Sequence, residues 1–291
     1  MNGPSLDISV PSDEVTLASD VCALPLVRRL AAMLDRDPMQ LQEGDPLPRG
    51  WYPLLFNVPT RQSQLRPDGS ADLGVHLPEM GLPRLMLGGR QARFEGDLPI
   101  GARVRRETRR GPVQLKQGRS GRFALVNVEH RIFVEGQANP ALIEHLDYVL
   151  RPATQTAANP GAGLGNAPAA VTPASTQPDT AHSRILVPDP RLLFRYSAIT
   201  DNPHRIHYDA PYALQSEGYP ALVVNGTIPA MFLLEMFRQL ARREPAHLAS
   251  RNMAPMLCGQ PLRLTVEQDG ESWRLWAQTS DGQITYDARA H

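Results

Sequence analysis

The 291-residue chain contains 2 cysteines, Cys22 and Cys258. Two thiols cannot build a disulfide framework, and such scarcity fits a reducing, cytoplasmic setting. Charge of one sign is also missing: Lys plus Arg total 30 against 30 for Asp plus Glu. Without a basic excess there is nothing to draw nucleic acid or an anionic membrane surface. Long apolar runs are absent too, and the best candidate is interrupted by Asn225, Pro229 and Glu235, which excludes a conventional membrane span. The first residues carry Asp7, Asp13 and Glu14 rather than a basic-then-apolar signal. His204 and His207 lack the further ligands a metal site requires, so no metal is expected. A soluble protein of one or two domains is left.

Residues 152–178 contain no charged residue and are rich in Ala, Pro, Thr, Gly and Gln. They cannot bury enough surface to offset the entropy of ordering, so they read as a linker. The expected division is an N-terminal half over 1–151, a linker over 152–183 and a C-terminal half over 184–291. In the first half, Ser19 to Arg36 reads as a helix with Leu26, Leu30, Met33 and Leu34 on one face and Asp20 as N-cap. Trp51–Asn57 is an apolar segment suited to cover a core or a ligand, and Gln62–Gly81 reads as loop. Strands are expected over Arg90–Phe94, Ala102–Leu115 and Phe123–Val134, the last alternating cleanly, with Lys116–Gly121 as a turn. In the second half, Gln260–Glu267, Ser272–Thr279 and Gln283–Ala290 are strands separated by Asp269-Gly270 and Asp281-Gly282 turns. No residue-level repeat is visible, yet both halves follow one α+β plan, a helix-bearing segment followed by antiparallel strands.

The chemistry concentrates between Phe194 and Leu240. Asp201, Asn202, His204 and His207 lie within seven positions, and Asp201-Asn202-Pro203 reads as a turn. Asp209 is placed to cap a short helix with Pro211 in its first turn. Asn225-Gly226-Thr227 then opens an apolar helix, Ile228 to Leu240. Histidine, carboxylate and free helix-start amides in one stretch are what proton abstraction next to a carbonyl needs.

Two motifs there, Asn202-Pro-His-Arg-Ile-His-Tyr-Asp209 and Glu217-Gly-Tyr-Pro-Ala-Leu-Val-Val-Asn-Gly226, resemble the MaoC-like hydroxyacyl-thioester dehydratases of the hot-dog superfamily. Within it the resemblance is nearest to the group that hydrates mesaconyl-C4-CoA and itaconyl-CoA. Leu82-Pro-Arg-Leu-Met-Leu-Gly-Gly-Arg90 and Lys116-Gln-Gly-Arg-Ser-Gly121 extend the likeness to the first half. One departure is Asn225, where the family pattern has histidine. The resemblance implies a double hot-dog fold, two antiparallel sheets each wrapping a central helix. It also implies a hydro-lyase acting on a short, branched dicarboxylic acyl-CoA, with coenzyme A a substrate moiety and no bound cofactor.

By the same resemblance His207 is the base and the Gly226 amide polarises the thioester carbonyl. The partner of His207 is open between Asp201 and Asn202: counting back without a gap reaches Asn202, and a one-residue shift reaches Asp201. His204, Arg205, Tyr208, Asn225, Arg84, Arg90 and Arg119 are the expected substrate contacts. A bland reading stands beside each, with the turn residues bonding backbone and the arginines bracing turns. Two other functions fit the same motifs, a hot-dog thioesterase and a non-catalytic acyl-CoA-binding protein. No nucleic-acid or membrane partner is expected, and a homodimer is open.

Overall fold

The computed structural model describes residues 15–57, 59–71, 77, 80–82, 84–118, 121–152 and 182–291. The expected linker falls almost wholly outside these residues, as does Arg119. The chain opens with β1 (Val15–Val21) and α1 (Leu24–Met33), followed by β2 (Arg84–Phe94), β3 (Arg103–Gly118), β4 (Gly121–Val134) and β5 (Leu142–Arg151). The second half contributes β6 (Ser183–Leu186), α2 (Pro190–Ile199), α3 (Ala210–Gln215), α4 (Thr227–Ala241), β7 (His247–Asn252), β8 (Leu262–Asp269), β9 (Ser272–Thr279) and β10 (Ile284–Ala290). The strand order is β1-β3-β4-β5-β2-β7-β10-β9-β8-β6. Five strands from each half thus lie side by side, and antiparallel pairing of β2 with β7 joins them. The two expected sheets are continuous, a double hot dog whose halves share one ten-stranded sheet.

The alternation in β4 does what period two requires. Ala124, Val126, Val128 and Ile132 are buried, and His130 falls on the same face. Opposite it, β3 absorbs Pro112, which cannot donate to a ladder, in a register shift between Arg110 and Val113. Helix α4 is buried from Ile228 through Phe237, Glu235 included. A helix apolar on every side belongs inside a sheet's curve, and α4 packs on β8 and β9. Helix α1 buries one face only, with Val27, Leu30, Ala31 and Met33 inward.

The helix expected from Ser19 begins five residues later. Val15 to Val21 is instead an edge strand paired with β3, Ser19 opposite Arg105 and Asp20 opposite Val104. Asp20 caps no helix; its carboxylate accepts the Phe56 N–H at 2.6 Å and the Val21 N–H at 2.7 Å. Pro25 stands in the first turn of α1, where its missing N–H costs nothing.

One buried charge ties the halves together. Glu235 accepts from Trp51 Nε1 at 3.0 Å and from Arg238 Nη1 at 2.6 Å, and Arg36 Nη1 lies 3.4 Å away. Removing one partner of such a group strands the others in a desolvated site. Glu235→Ala is therefore expected to lower unfolding free energy by about 3 kcal/mol, read as a shift in urea midpoint. A change below about 0.5 kcal/mol, the surface range, would contradict this account.

Candidate active site

Helix α2 starts at Asp189, whose carboxylate accepts the Leu192 N–H at 2.8 Å. It ends in a left-handed turn: Asp201 has φ 43° and the Asn202 N–H returns to the Ser197 carbonyl at 2.9 Å. That bond, from the second residue past the cap, is the six-to-one closure of a Schellman ending. Asp201 is exposed at that corner. Asn202 Oδ1 accepts the His204 N–H at 3.1 Å, an Asx turn. The turn reading thus accounts for both candidate partners of His207.

One 3₁₀ turn, Arg205–His207, follows. Asp209 then caps α3 by accepting from Tyr212 N at 3.1 Å. Arg205 binds the other Asp209 oxygen through Nε at 3.0 Å and Nη2 at 2.8 Å, while its guanidinium lies 4.1 Å from the Tyr212 ring centre. Arg205 is accordingly a brace of this corner, and Tyr208 is exposed.

The two motif segments are sewn together by backbone. Val223 N donates to the Ile206 carbonyl at 2.9 Å, and Val224 N to Met256 O at 2.8 Å. His207, buried, places Nδ1 2.7 Å from the Val223 carbonyl. A carbonyl only accepts, so Nδ1 carries the proton and neutral His207 presents a lone pair at Nε2. Asn225 Nδ2 lies 3.3 Å from that nitrogen. Burial pushes the His207 pKa down to about 4, with the Val223 bond opposing and His204 assisting. The ring is thus an unprotonated base at neutral pH. Gly226 follows directly as the N-cap of α4, at an end whose first amides lack intrahelical acceptors; that of Ile228 donates to the Asn225 carbonyl at 2.9 Å.

His204 meets His207 edge-on, ring centres 5.6 Å apart, and lines a cleft of about 250 Å³ with Arg66, Asp68, Arg84, Tyr212, Glu217 and Tyr219. Burial lowers the His204 pKa, with Asp68 and Glu217 opposing. Arg84 pairs with Glu217 at 2.8 Å and approaches the Tyr219 hydroxyl at 3.4 Å. A first-half loop closes over this corner: Arg205 N donates to Asp68 O at 2.8 Å. Gly69, with φ 84°, lies so close to the Pro203 carbonyl that no side chain fits there.

The structure therefore gathers His207, His204, Asn225, Gly226 and Arg84 at one corner. Arg90 is elsewhere. It is buried in β2, 2.9 Å from Glu144, which also accepts from the Tyr52 hydroxyl at 2.6 Å. That pairing makes Arg90 a core brace and explains why it lines no part of the cleft. Among the described residues no cluster of three or more His, Cys, Asp or Glu could hold a metal. None of their helices is long and apolar enough to cross a membrane. The Val223 carbonyl and Glu217 were not anticipated. Glu217 stood inside a quoted motif, whereas a backbone acceptor leaves no mark in sequence.

A buried, neutral histidine set against the start of a helix inside a hot-dog sheet defines a hydratase-type corner. Comparison with known proteins agrees. Residues 50–258 match the family described as hydroxyacyl-thioester dehydratase type 2. The chain is 37% identical over 277 residues to mesaconyl-C(4)-CoA hydratase of Chloroflexus aurantiacus, covering 95% of this chain and 92% of that protein. In fold it is similar to HtdX of Mycobacterium tuberculosis (TM-score 0.65, 16% identity, 95% and 99% of the two chains). It is also similar to a double hot-dog protein of the same organism (TM-score 0.58, 15% identity, 99% and 97%). The chain belongs to the hydroxyacyl-thioester dehydratase type 2 family and is a hydro-lyase.

His207 and His130 both sit near 4 in the fold, burial being the main cause, against 6.5 for an ordinary histidine. The unfolded chain therefore binds more protons than the native state between those values, and stability is full above pH 6.5 and lost as pH falls toward 4. Each histidine adds a slope approaching about 1.4 kcal/mol per pH unit there. His130→Gln is expected to flatten the slope by about one histidine's share, and pH-resolved urea melts with unchanged slope would refute the assignment.

Proposed function

We propose that the chain hydrates an α,β-unsaturated acyl-CoA, or dehydrates the 3-hydroxyacyl-CoA, with His207 as base. The observation that carries this reading is the Val223 carbonyl on Nδ1, which fixes the tautomer so that Nε2 faces the Asn225-Gly226 turn. In the hydration direction a water, taking the place of Asn225 at Nε2, loses a proton to His207 as its oxygen bonds to the β-carbon. The π electrons move onto the thioester as an enolate. The amide N–H of Gly226, at the start of α4, donates a hydrogen bond to that oxygen. The proton then passes from His207 to the α-carbon, and atoms and charge balance. Coenzyme A takes part only as a substrate moiety, and no cofactor enters.

Neither candidate partner supplies a carboxylate to the ring: Asp201 belongs to the helix ending and Asn202 Oδ1 to the Asx turn. His207 therefore works with neutral neighbours, Asn225 and His204. For the acyl group the reading is a short, branched dicarboxylic chain of the itaconyl or mesaconyl type. Its supports are the named relative and Arg84, which with Arg66 and His204 lines the cleft. A cytoplasmic setting, a homodimer and a division at 1–151, 152–183 and 184–291 complete the proposal.

Incubation with crotonyl-, itaconyl- and mesaconyl-CoA tests the reaction. Loss of enoyl absorbance without free thiol is expected, whereas thiol release would mean a thioesterase and no change a binding protein. His207→Ala is expected to lower kcat by about two to four orders of magnitude, while Asp201→Asn, suited to the same left-handed turn, stays within about twofold of wild type. The acid limb of kcat/KM, which reports the free enzyme, should fall near 4. A limb at 6.5 would remove the buried His207 from that role.

Arg84 also makes the acyl preference testable. Arg84→Lys keeps the charge but loses the planar fork, so kcat/KM for itaconyl- or mesaconyl-CoA is expected to fall about 10- to 100-fold. Activity on crotonyl-CoA should change little. An equal loss on both would assign Arg84 to Glu217 alone.

A further inference from the structure

Strand β7 ends at Asn252, one residue beyond its last partner on β2, Arg251 opposite Gly89. There β2 changes register between Leu87 and Gly89, leaving Gly88 out of the ladder with β5. The Leu87 carbonyl finds its donor in a side chain: Asn252 Nδ2 reaches it at 3.1 Å. Since a carbonyl only accepts, the amide nitrogen of Asn252 must face Leu87, and Oδ1 is thereby fixed on the other side.

That oxygen is buried and has no hydrogen-bond partner among the described residues. It rests against Gly226. A Cβ built on Gly226 would stand 2.7 Å from Oδ1 and 3.2 Å from both Cγ and Nδ2 of Asn252. Gly226 has φ −59°, a value any residue adopts, so backbone freedom is not why glycine stands here. The space is taken by Asn252. A buried acceptor without a donor is ordinarily destabilising. Here it lies at the positive end of α4, where the partial charge of the first amides offsets part of that cost.

We infer that Asn252 is a positioning residue for the site: it clamps the Gly226 turn, and with it the first amides of α4, to strand β2 of the other half. The turn is then held from two sides, by Asn225 at His207 and by Asn252 at the seam between the halves. Its kinetic consequence rests on the hydratase reading; its structural consequence does not.

The test uses full-length wild type, Asn252→Ala, Gly226→Ala and the double variant, with kinetics, thermal unfolding and peptide-resolved hydrogen exchange. Asn252→Ala should lower kcat about tenfold with KM within about threefold, because a displaced amide loses part of its grip on the enolate only. Exchange in the peptide spanning 225–228 should quicken. Gly226→Ala should lower both Tm and kcat, the latter about 100-fold. Removing the obstructing side chain should then restore it, the double variant exceeding Gly226→Ala at least tenfold in kcat, a coupling that independent sites do not show.

Without such rescue in kcat or Tm, or with exchange and kcat of Asn252→Ala at wild-type values, the clamp is overturned. Should wild type hydrate no enoyl thioester, the hydratase reading falls by itself. Faster 225–228 exchange in Asn252→Ala together with Tm rescue in the double variant then upholds the clamp, and absence of either overturns it.

Discussion

One hydrogen bond decides what this corner can do, the 2.7 Å contact between His207 Nδ1 and the Val223 carbonyl. An imidazole free to choose its tautomer would divide its proton between two nitrogens. Bound to an obligate acceptor, it keeps the proton at Nδ1 and leaves Nε2 basic. The bond exists because Val223 N donates to Ile206, the residue before His207, so two segments 16 residues apart run alongside each other. Asp209 supports this from one side by starting α3, and the Asp68–Gly69 loop supports it from the other.

The second dependence is on the seam. Strands β2 and β7 pair from Gly89 with Arg251 to Arg93 with His247, and this ladder holds the first half against the helix start. Glu235 makes a second tie at the far end of α4, through Trp51 and Arg36. Helix α4 is therefore fixed at both ends by residues that contact the first half, although its own half encloses it. Among the described residues the first half has no comparable buried helix, α1 burying one face only. Its part at the corner is to brace α4 and to supply the loop and Arg84.

Much of this was legible because local signals and tertiary demands coincide. Asp209-Ala-Pro, Asn225-Gly226-Thr227 and the alternation of β4 each state their structure within a few residues. The failures have physical causes. Ser19 and Asp20 pass for a helix start in sequence, and only the free edge of β3 makes Val15–Val21 a strand. Strand β5 was hidden by Glu144, His145 and Asp147, polar residues in an apolar pattern. Glu144 is buried there because Arg90 and Tyr52 satisfy it, a partnership spanning distant positions. The same partnership removes Arg90 from the substrate contacts. Short β6 and β7 lack periodicity of their own and are strands because neighbours need them. Gly226 and His207 stood out in sequence, whereas Asn252 and the Val223 carbonyl acquire meaning only through contact.

A base whose pKa is driven to about 4 by burial would be a poor proton acceptor if its charge arose alone. In the proposed hydration it does not arise alone. As His207 gains a proton, the thioester oxygen gains negative charge at the start of α4, so the step creates an ion pair rather than an isolated cation. Desolvation that penalises a lone imidazolium strengthens the attraction within that pair, since both charges share the same low-dielectric corner. Among the described residues His207 is bonded to the Val223 carbonyl and Asn225 and to no carboxylate, which is consistent with this balance. A fixed anion beside His207 would stabilise imidazolium before water attacks and repel the developing enolate. Neutral Asn225 and His204 beside the ring leave the enolate as the partner charge, which ties protonation of the base to formation of the transition state.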